Sequence, residues 1–260
     1  MKIGTTSMVF WQTGLSEGIQ TAARLGFDSI EIWISHFQKE TGLSAAALAE
    51  LLEQSGMSCT IHAPILDINI ASVNAGIRRE STAQQIEAVE LCATLGGELV
   101  VIHPGQLSSK RSDPDKHWKH QADSYVQILE AAQAQGVIVT VENMEWNKEN
   151  ELIRTASDIK RLQGMIGDYH LPVTLDITHL ADTARCIDAI DTLGDSIVHV
   201  HVSDFGEKNH IALGDGILDL KKILQKLQER RFDGILSFEI FIPGSAVTLG
   251  EQRDKLLALL

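Results

Sequence analysis

Leu99-Val100-Val101-Ile102-His103 is a run of four aliphatic residues closed by an imidazole, and the pattern recurs along the chain. Cys59-Thr60-Ile61-His62, Val137-Ile138-Val139-Thr140-Val141-Glu142, Val173-Thr174-Leu175-Asp176, Ile197-Val198-His199-Val200-His201 and Ile235-Leu236-Ser237-Phe238-Glu239 follow it, so six apolar runs finish in His, Asp or Glu. His179 and His210 stand in the segments after two of these runs. Their β-branched content marks the runs as strands. They are continuous rather than strictly alternating, as expected of strands covered on both faces and therefore parallel.

Working outward, Lys2–Thr6, Ser29–Trp33 and Met57–His62 read as the first three strands. Apolar residues spaced by three and four predict helices over Leu15–Leu25, Ala45–Ser55, Ala75–Leu95, Trp118–Gln135, Leu152–Ile166, Ala181–Leu193, Leu218–Arg230 and Val247–Leu260. Gly26, Gly56, Gly96, Gly136, Gly194 and Gly234 follow these patterns where a left-handed helix cap is expected. The segment from His103 to Lys119, rich in Ser, Asp, Pro and Lys, reads as a surface loop within the repeat. Eight strand–helix units predict a single (β/α)8 TIM barrel spanning residues 1–260 as one domain. Active sites of such barrels lie at the C-terminal ends of the strands, where the ligand-type residues are. An open doubly wound sheet would instead gather polar residues at one switch point. No Gly-rich phosphate loop follows the first strand to support that alternative.

Composition narrows the function classes. The 260 residues, 44% hydrophobic, suffice for a large core. A net charge of −13, from 22 basic and 35 acidic residues, repels polyanions and weakens a nucleic-acid reading, although bound cations would reverse the local field. Cys59, Cys92 and Cys186 are odd in number and set in apolar patterns, as buried thiols of a reducing compartment would be. A polar Gly4-Thr5-Thr6-Ser7 stretch interrupts any leader-like apolar segment, and nowhere do about eighteen apolar residues run together. The expectation is a cytoplasmic protein that does not enter a membrane; the oligomeric state is left open.

The strand ends carry an electrostatic argument. Glu142, Asp176 and Glu239 buried side by side would cost several kcal/mol per charge. No Lys or Arg stands at these strand ends to offset it. A divalent cation is the simplest neutraliser, and a mixed imidazole and carboxylate shell suits Zn2+ or Mn2+, with Co2+, Fe2+ or Mg2+ as alternatives.

The segments His62-Ala63-Pro64-Ile65-Leu66-Asp67-Ile68-Asn69-Ile70-Ala71-Ser72, His103-Pro104-Gly105, Glu142-Asn143, Leu175-Asp176-Ile177-Thr178-His179 and His201-Val202-Ser203-Asp204 resemble the xylose isomerase-like TIM-barrel superfamily across nearly the whole chain. That superfamily holds sugar and sugar-phosphate isomerases and epimerases, and also endonuclease IV-type abasic-site enzymes. Likeness to the epimerases implies one divalent ion on Glu142, Asp176, His201 and Glu239, with Glu142 and Glu239 as acid and base beside a carbonyl. Likeness to endonuclease IV implies three zinc ions, the first on His62, His103 and Glu142, the second on Glu142, Asp176, His201 and Glu239. The third would use His179, His210 and an aspartate two residues before the latter, where this chain has Lys208, so that Asp204 or Asp215 would have to substitute. One to three ions are thus expected. The segment after strand two, Ser35-His36-Phe37-Gln38-Lys39-Glu40-Thr41, lacks the arginine DNA contact of that branch, and Ile65 replaces its tyrosine.

The resulting expectation is a metal-dependent isomerase or epimerase whose substrate, a carbohydrate or its phosphate, meets His62, His103, His179, Lys208 and His210. The alternatives are a multi-zinc phosphodiester hydrolase and a metal-binding barrel without catalysis. Among other residues, Trp33 is expected to close the barrel mouth by packing, while the role of Trp146 is left open. His117, His120 and His170 lack a strand-end context and are expected at the surface. Glu31 either faces the site or bonds a neighbouring loop.

Overall fold

The computed structural model describes residues 1–241 and 246–260. Its strands are β1 (Lys2–Thr6), β2 (Ser29–Trp33), β3 (Ser58–His62), β4 (Leu99–Ile102), β5 (Ile138–Glu142), β6 (Val173–Asp176), β7 (Ile197–Val202) and β8 (Ile235–Phe238). They pair in sequence order, all parallel, and β8 closes on β1 through Lys2 opposite Ile235 and Gly4 opposite Ser237. Helices between successive strands form the outer ring, and Ala246–Leu259 completes it. The chain is therefore a closed (β/α)8 barrel. Among the described residues no helix is long and apolar enough to cross a membrane.

Period-two alternation divides each strand between two environments. Ile30, Ile32, Ile61, Val100, Ile102, Val139, Val141, Leu175, Val200, Leu236 and Phe238 are all buried in the apolar core. The intervening residues Glu31, Thr60, His62, Thr140, Glu142, Thr174, Asp176, His199, His201 and Ser237 are equally buried but polar. Full burial of one aliphatic side chain contributes about 1.5–3 kcal/mol, so the aliphatic set can sustain a polar interior.

Several boundaries differ from the sequence expectation, each through local capping chemistry. The helix expected to begin at Trp118 spans Pro114–Gln135, because the Asp113 carboxylate accepts from Asp115 N–H and Pro114 occupies the first turn. The helix expected from Leu152 spans Ala156–Met165, started by a capping box between Thr155 and Asp158. A separate turn, Ile177–Leu180, ends at left-handed Ala181 before the Thr183–Leu193 helix, which Asp182 caps. Gly26, Gly56, Gly96, Gly136 and Gly194 have positive φ, as expected, but Arg231 rather than Gly234 takes that conformation after the Leu220–Glu229 helix. Gly234 is needed for another reason: a Cβ there would lie 1.9 Å from the Val198 carbonyl oxygen.

Candidate active site

Barrel closure turns strand ends into a ring of side chains. Glu142 and Asp176 end β5 and β6, His201 is the penultimate residue of β7, and Glu239 follows β8. One ligand atom from each lies within 4.8 Å of those of the others. His201 Nδ1 faces all three carboxylates, 2.8 Å from Glu239 Oε2, 3.3 Å from Glu142 Oε1 and 3.8 Å from Asp176 Oδ2. His62, at the end of β3, and His103, just beyond β4, approach the other Glu142 oxygen at 3.6 and 3.3 Å. His179 and His210 lie 3.9 and 4.0 Å from Asp176 Oδ2, and these three residues form another compact donor group.

The donors are aimed by neighbours. Asp176 Oδ1 accepts from the backbone N–H groups of Thr178 at 2.7 Å and His179 at 2.9 Å and from the Thr178 hydroxyl at 2.8 Å. The other oxygen, Oδ2, is left toward the mouth. Asn143 exchanges two 2.9 Å bonds with the Asp176 backbone and joins the tips of β5 and β6. His62 Nδ1 contacts the Ala63 carbonyl at 3.0 Å, and His179 Nδ1 contacts that of Asn143 at 2.8 Å. A carbonyl only accepts, so both rings carry their proton on Nδ1 there and leave Nε2 bare when neutral. Trp33 is buried and stacks on His62 with centroids 4.1 Å apart, so it packs against a ligand-type ring. Trp146 is exposed, with the Arg185 guanidinium 3.8 Å above its ring.

Without a cation, protons maintain the charge balance. Burial alone would raise the Glu142 and Glu239 carboxyl groups, but His201, assisted by His103 and His210 respectively, holds both well below the usual carboxylate range. Burial opposes protonation of His201, yet Glu31, Glu239 and Glu142 drive it well above the usual imidazole value. His179 likewise rises to about 9 despite burial, through Asp176, Glu142, Glu145 and Glu239. His199 has the reverse balance, and burial pushes it down to about 4. A cation among these donors would supply the positive charge instead.

All the expected ligand-type residues, His62, His103, Glu142, Asp176, His179, His201, His210 and Glu239, fall within this ring or directly against it. Lys208 is exposed, and its backbone carbonyl accepts from Gly206 N–H. Asp204 cannot complete a third site, because its carboxylate accepts from the backbone N–H groups of Phe205, Gly214, Gly216 and Leu218. Asp176 is the carboxylate that meets His179 and His210. His117, expected at the surface, is buried: Nδ1 contacts the Ala71 carbonyl at 2.8 Å and Nε2 accepts from Ser108 N–H at 3.4 Å. Two further buried groups, Glu31 and His199, lie within the barrel beside His201. Alternation marks both, since His199 is two residues before His201 and Glu31 two before Trp33 on their strands. His36 is also buried, which its polar loop-like sequence context does not signal.

The chain belongs to the xylose isomerase-like TIM barrel family, which it matches over residues 19–258. It is 28% identical over 245 residues to uncharacterized protein MJ1311 of Methanocaldococcus jannaschii, covering 92% of this chain and 83% of that one. It is 26% identical over 239 residues to D-psicose 3-epimerase of Ruminiclostridium cellulolyticum, covering 89% and 80%. Among solved structures, a D-tagatose 3-epimerase-like protein superimposes with a TM-score of 0.86 at 27% identity, covering 100% of this chain and 98% of that one. Relatives also include a probable endonuclease 4 of Mycobacterium leprae, 24% identical over 211 residues, with 76% and 80% covered.

Proposed function

We propose that the protein is a divalent-metal-dependent isomerase or epimerase of sugars or sugar phosphates, acting by proton transfer beside a carbonyl. The observation that carries this reading is the Glu142, Asp176, His201 and Glu239 group. Buried Glu142 Oε2, Asp176 Oδ2 and Glu239 Oε2 have no hydrogen-bond partner. The Asp176 and Glu239 oxygens lie about one imidazole nitrogen, His201 Nδ1, while Glu142 turns Oε1 to that nitrogen and Oε2 to His62 and His103. Such a gathering suits a cation, and the mixed donor set fits Zn2+ or Mn2+. When bound, such an ion supplies Lewis acidity that polarises a carbonyl and lowers the pKa of the adjacent C–H.

The protein's own groups then move the proton. Glu142 and Glu239 are both held below the usual carboxylate range and are therefore ionised at neutral pH, as a base must be. One carboxylate takes the C–H proton; the other first takes up a proton from solvent and delivers it to the opposite face, which inverts the carbon, and the first then releases its proton to solvent. His62, His103, His179 and His210 orient hydroxyl or phosphate oxygens around the mouth. Incubation of metal-loaded enzyme in D2O with D-psicose, D-tagatose, D-fructose and ketose phosphates should introduce deuterium at the carbon beside the carbonyl. No incorporation into any of them, together with efficient cleavage of abasic duplex DNA, would overturn the assignment.

A second reading has its own observation. His62, His103 and Glu142 form one additional compact donor group, and Asp176, His179 and His210 another, which is more than a one-ion enzyme requires. Two or three ions per chain would favour a phosphodiester hydrolase; one would favour the epimerase. Metal analysis of protein purified without chelator separates them.

A further inference from the structure

Glu31 is a buried carboxylate that the proposed chemistry does not use. It is 1% exposed and directly paired with Thr6 on β1 and Thr60 on β3, so the three side chains share the inner face of the barrel. Among the described residues no lysine or arginine pairs with it; His201 Nε2 meets it at 3.1 Å, and the neutral His199 ring brings Nε2 to 3.3 Å. An unpaired buried carboxylate costs several kcal/mol, so its contact with imidazole is what makes this position tolerable.

The contact has a directional consequence. The two nitrogens of His201 face opposite ways, Nδ1 toward Glu239, Glu142 and Asp176 and Nε2 toward Glu31. An ionised carboxylate only accepts, so a 3.1 Å contact requires the proton on Nε2. A neutral ring so held has its lone pair on Nδ1, in the middle of the three carboxylates. The neighbouring His199 ring is fixed in turn, with Nδ1 3.4 Å from Thr174 Oγ1, which lies 2.7 Å from Thr140 Oγ1 on β5.

We infer that Glu31 is the positioning residue of the site, holding His201 in one orientation and tautomer so that Nδ1 is presented to a divalent cation. The inference rests on the metal-site reading of the barrel mouth. Outer carboxylates that orient a ligating imidazole typically change metal affinity by about 10–100-fold when removed.

The test uses chelator-stripped full-length protein titrated with Co2+ and followed by its visible absorption bands. Wild type, Asp176→Asn, Glu31→Gln and Glu31→Ala are compared, with Glu31→Leu replacing the alanine variant if that does not fold. Expected are tight uptake by wild type, loss in Asp176→Asn, and a roughly 10–100-fold weaker Kd with shifted bands in Glu31→Ala or Glu31→Leu. Glu31→Gln, which keeps an acceptor oxygen without the charge, should lie between. Nitrogen-15 NMR of the zinc-loaded protein should show the Nε2 proton of His201 slowed in exchange in wild type and fast in the alanine or leucine variant. Wild-type affinity and bands in all Glu31 variants would overturn the inference. Loss of one whole metal equivalent, with the remainder bound as in wild type, would also overturn it by making Glu31 a ligand. If wild type takes up no Co2+, or Asp176→Asn takes it up equally, the metal-site reading itself fails, whatever the Glu31 variants do.

Discussion

Raising the pH of the metal-free protein from 6.5 to 9 should remove about 3 kcal/mol of stability through His179 alone. Burial disfavours its charged form, but Asp176, Glu142, Glu145 and Glu239 raise its pKa from 6.5 to about 9. A proton bound more tightly in the folded than in the unfolded chain contributes stability that is fully present below pH 6.5 and lost as pH rises through 9. At about 1.4 kcal/mol per pKa unit, the shift is worth about 3 kcal/mol, or roughly 6–12 °C in Tm for a chain of this size. His201 and His62 are also raised despite burial and act with the same sign. On the acid side His199, pushed down to about 4 by burial, loses its contribution as pH falls from 6.5 toward 4. Glu142 and Glu239, held low, lose theirs only as pH falls from about 4.5 through their folded values. The metal-free protein should therefore be most stable near pH 6.5. Calorimetry in chelator at pH 6.5, 7.5 and 9 measures the slope, and His179→Asn should remove its share. Added Zn2+ or Mn2+ should flatten the slope by supplying the charge that the protons otherwise provide. A metal-free Tm that is constant or rises toward pH 9, or a His179→Asn variant that keeps the whole drop, would refute this reasoning.

Other substitutions test separate parts of the structure. Glu142→Gln and Glu239→Gln should each slow deuterium exchange into a responsive sugar by about 10²–10⁴-fold, read by mass spectrometry, because each removes a proton-transfer group. Gly234→Ala should cost about 3 kcal/mol or more in urea unfolding, since its Cβ would meet the Val198 carbonyl oxygen at 1.9 Å. Asp204→Ala strips the acceptor from the N–H groups of Phe205, Gly214, Gly216 and Leu218. It should cost about 3 kcal/mol or more in the same assay.

The barrel was legible because each strand's apolar run is a local signal, bounded by helical periodicity. Leu99–Ile102 needs no partner to be recognised as a buried strand, and the polar residue that ends each run marks the barrel mouth whichever strands become neighbours. Helix starts at Pro114 and Ala156 were harder to place, because a cap is one side chain bonding one N–H and leaves little trace in hydrophobic periodicity. Gly234 shows the same limit: its position after a helix suggested a left-handed cap, whereas the close approach of β7 is what requires glycine.

By itself the sequence determined the eight-fold repeat, the parallel barrel and the strand ends that carry His62, His103, Glu142, Asp176, His201 and Glu239. Only the tertiary structure decided which of these share oxygens, that Asp176 rather than Asp204 joins His179 and His210, and that His117 is buried. It also brought Glu31 to His201, 170 positions away in the chain. The physical reason is closure: strand patterns depend on a few neighbouring residues, whereas contacts across the lumen depend on the register and tilt of all eight strands at once.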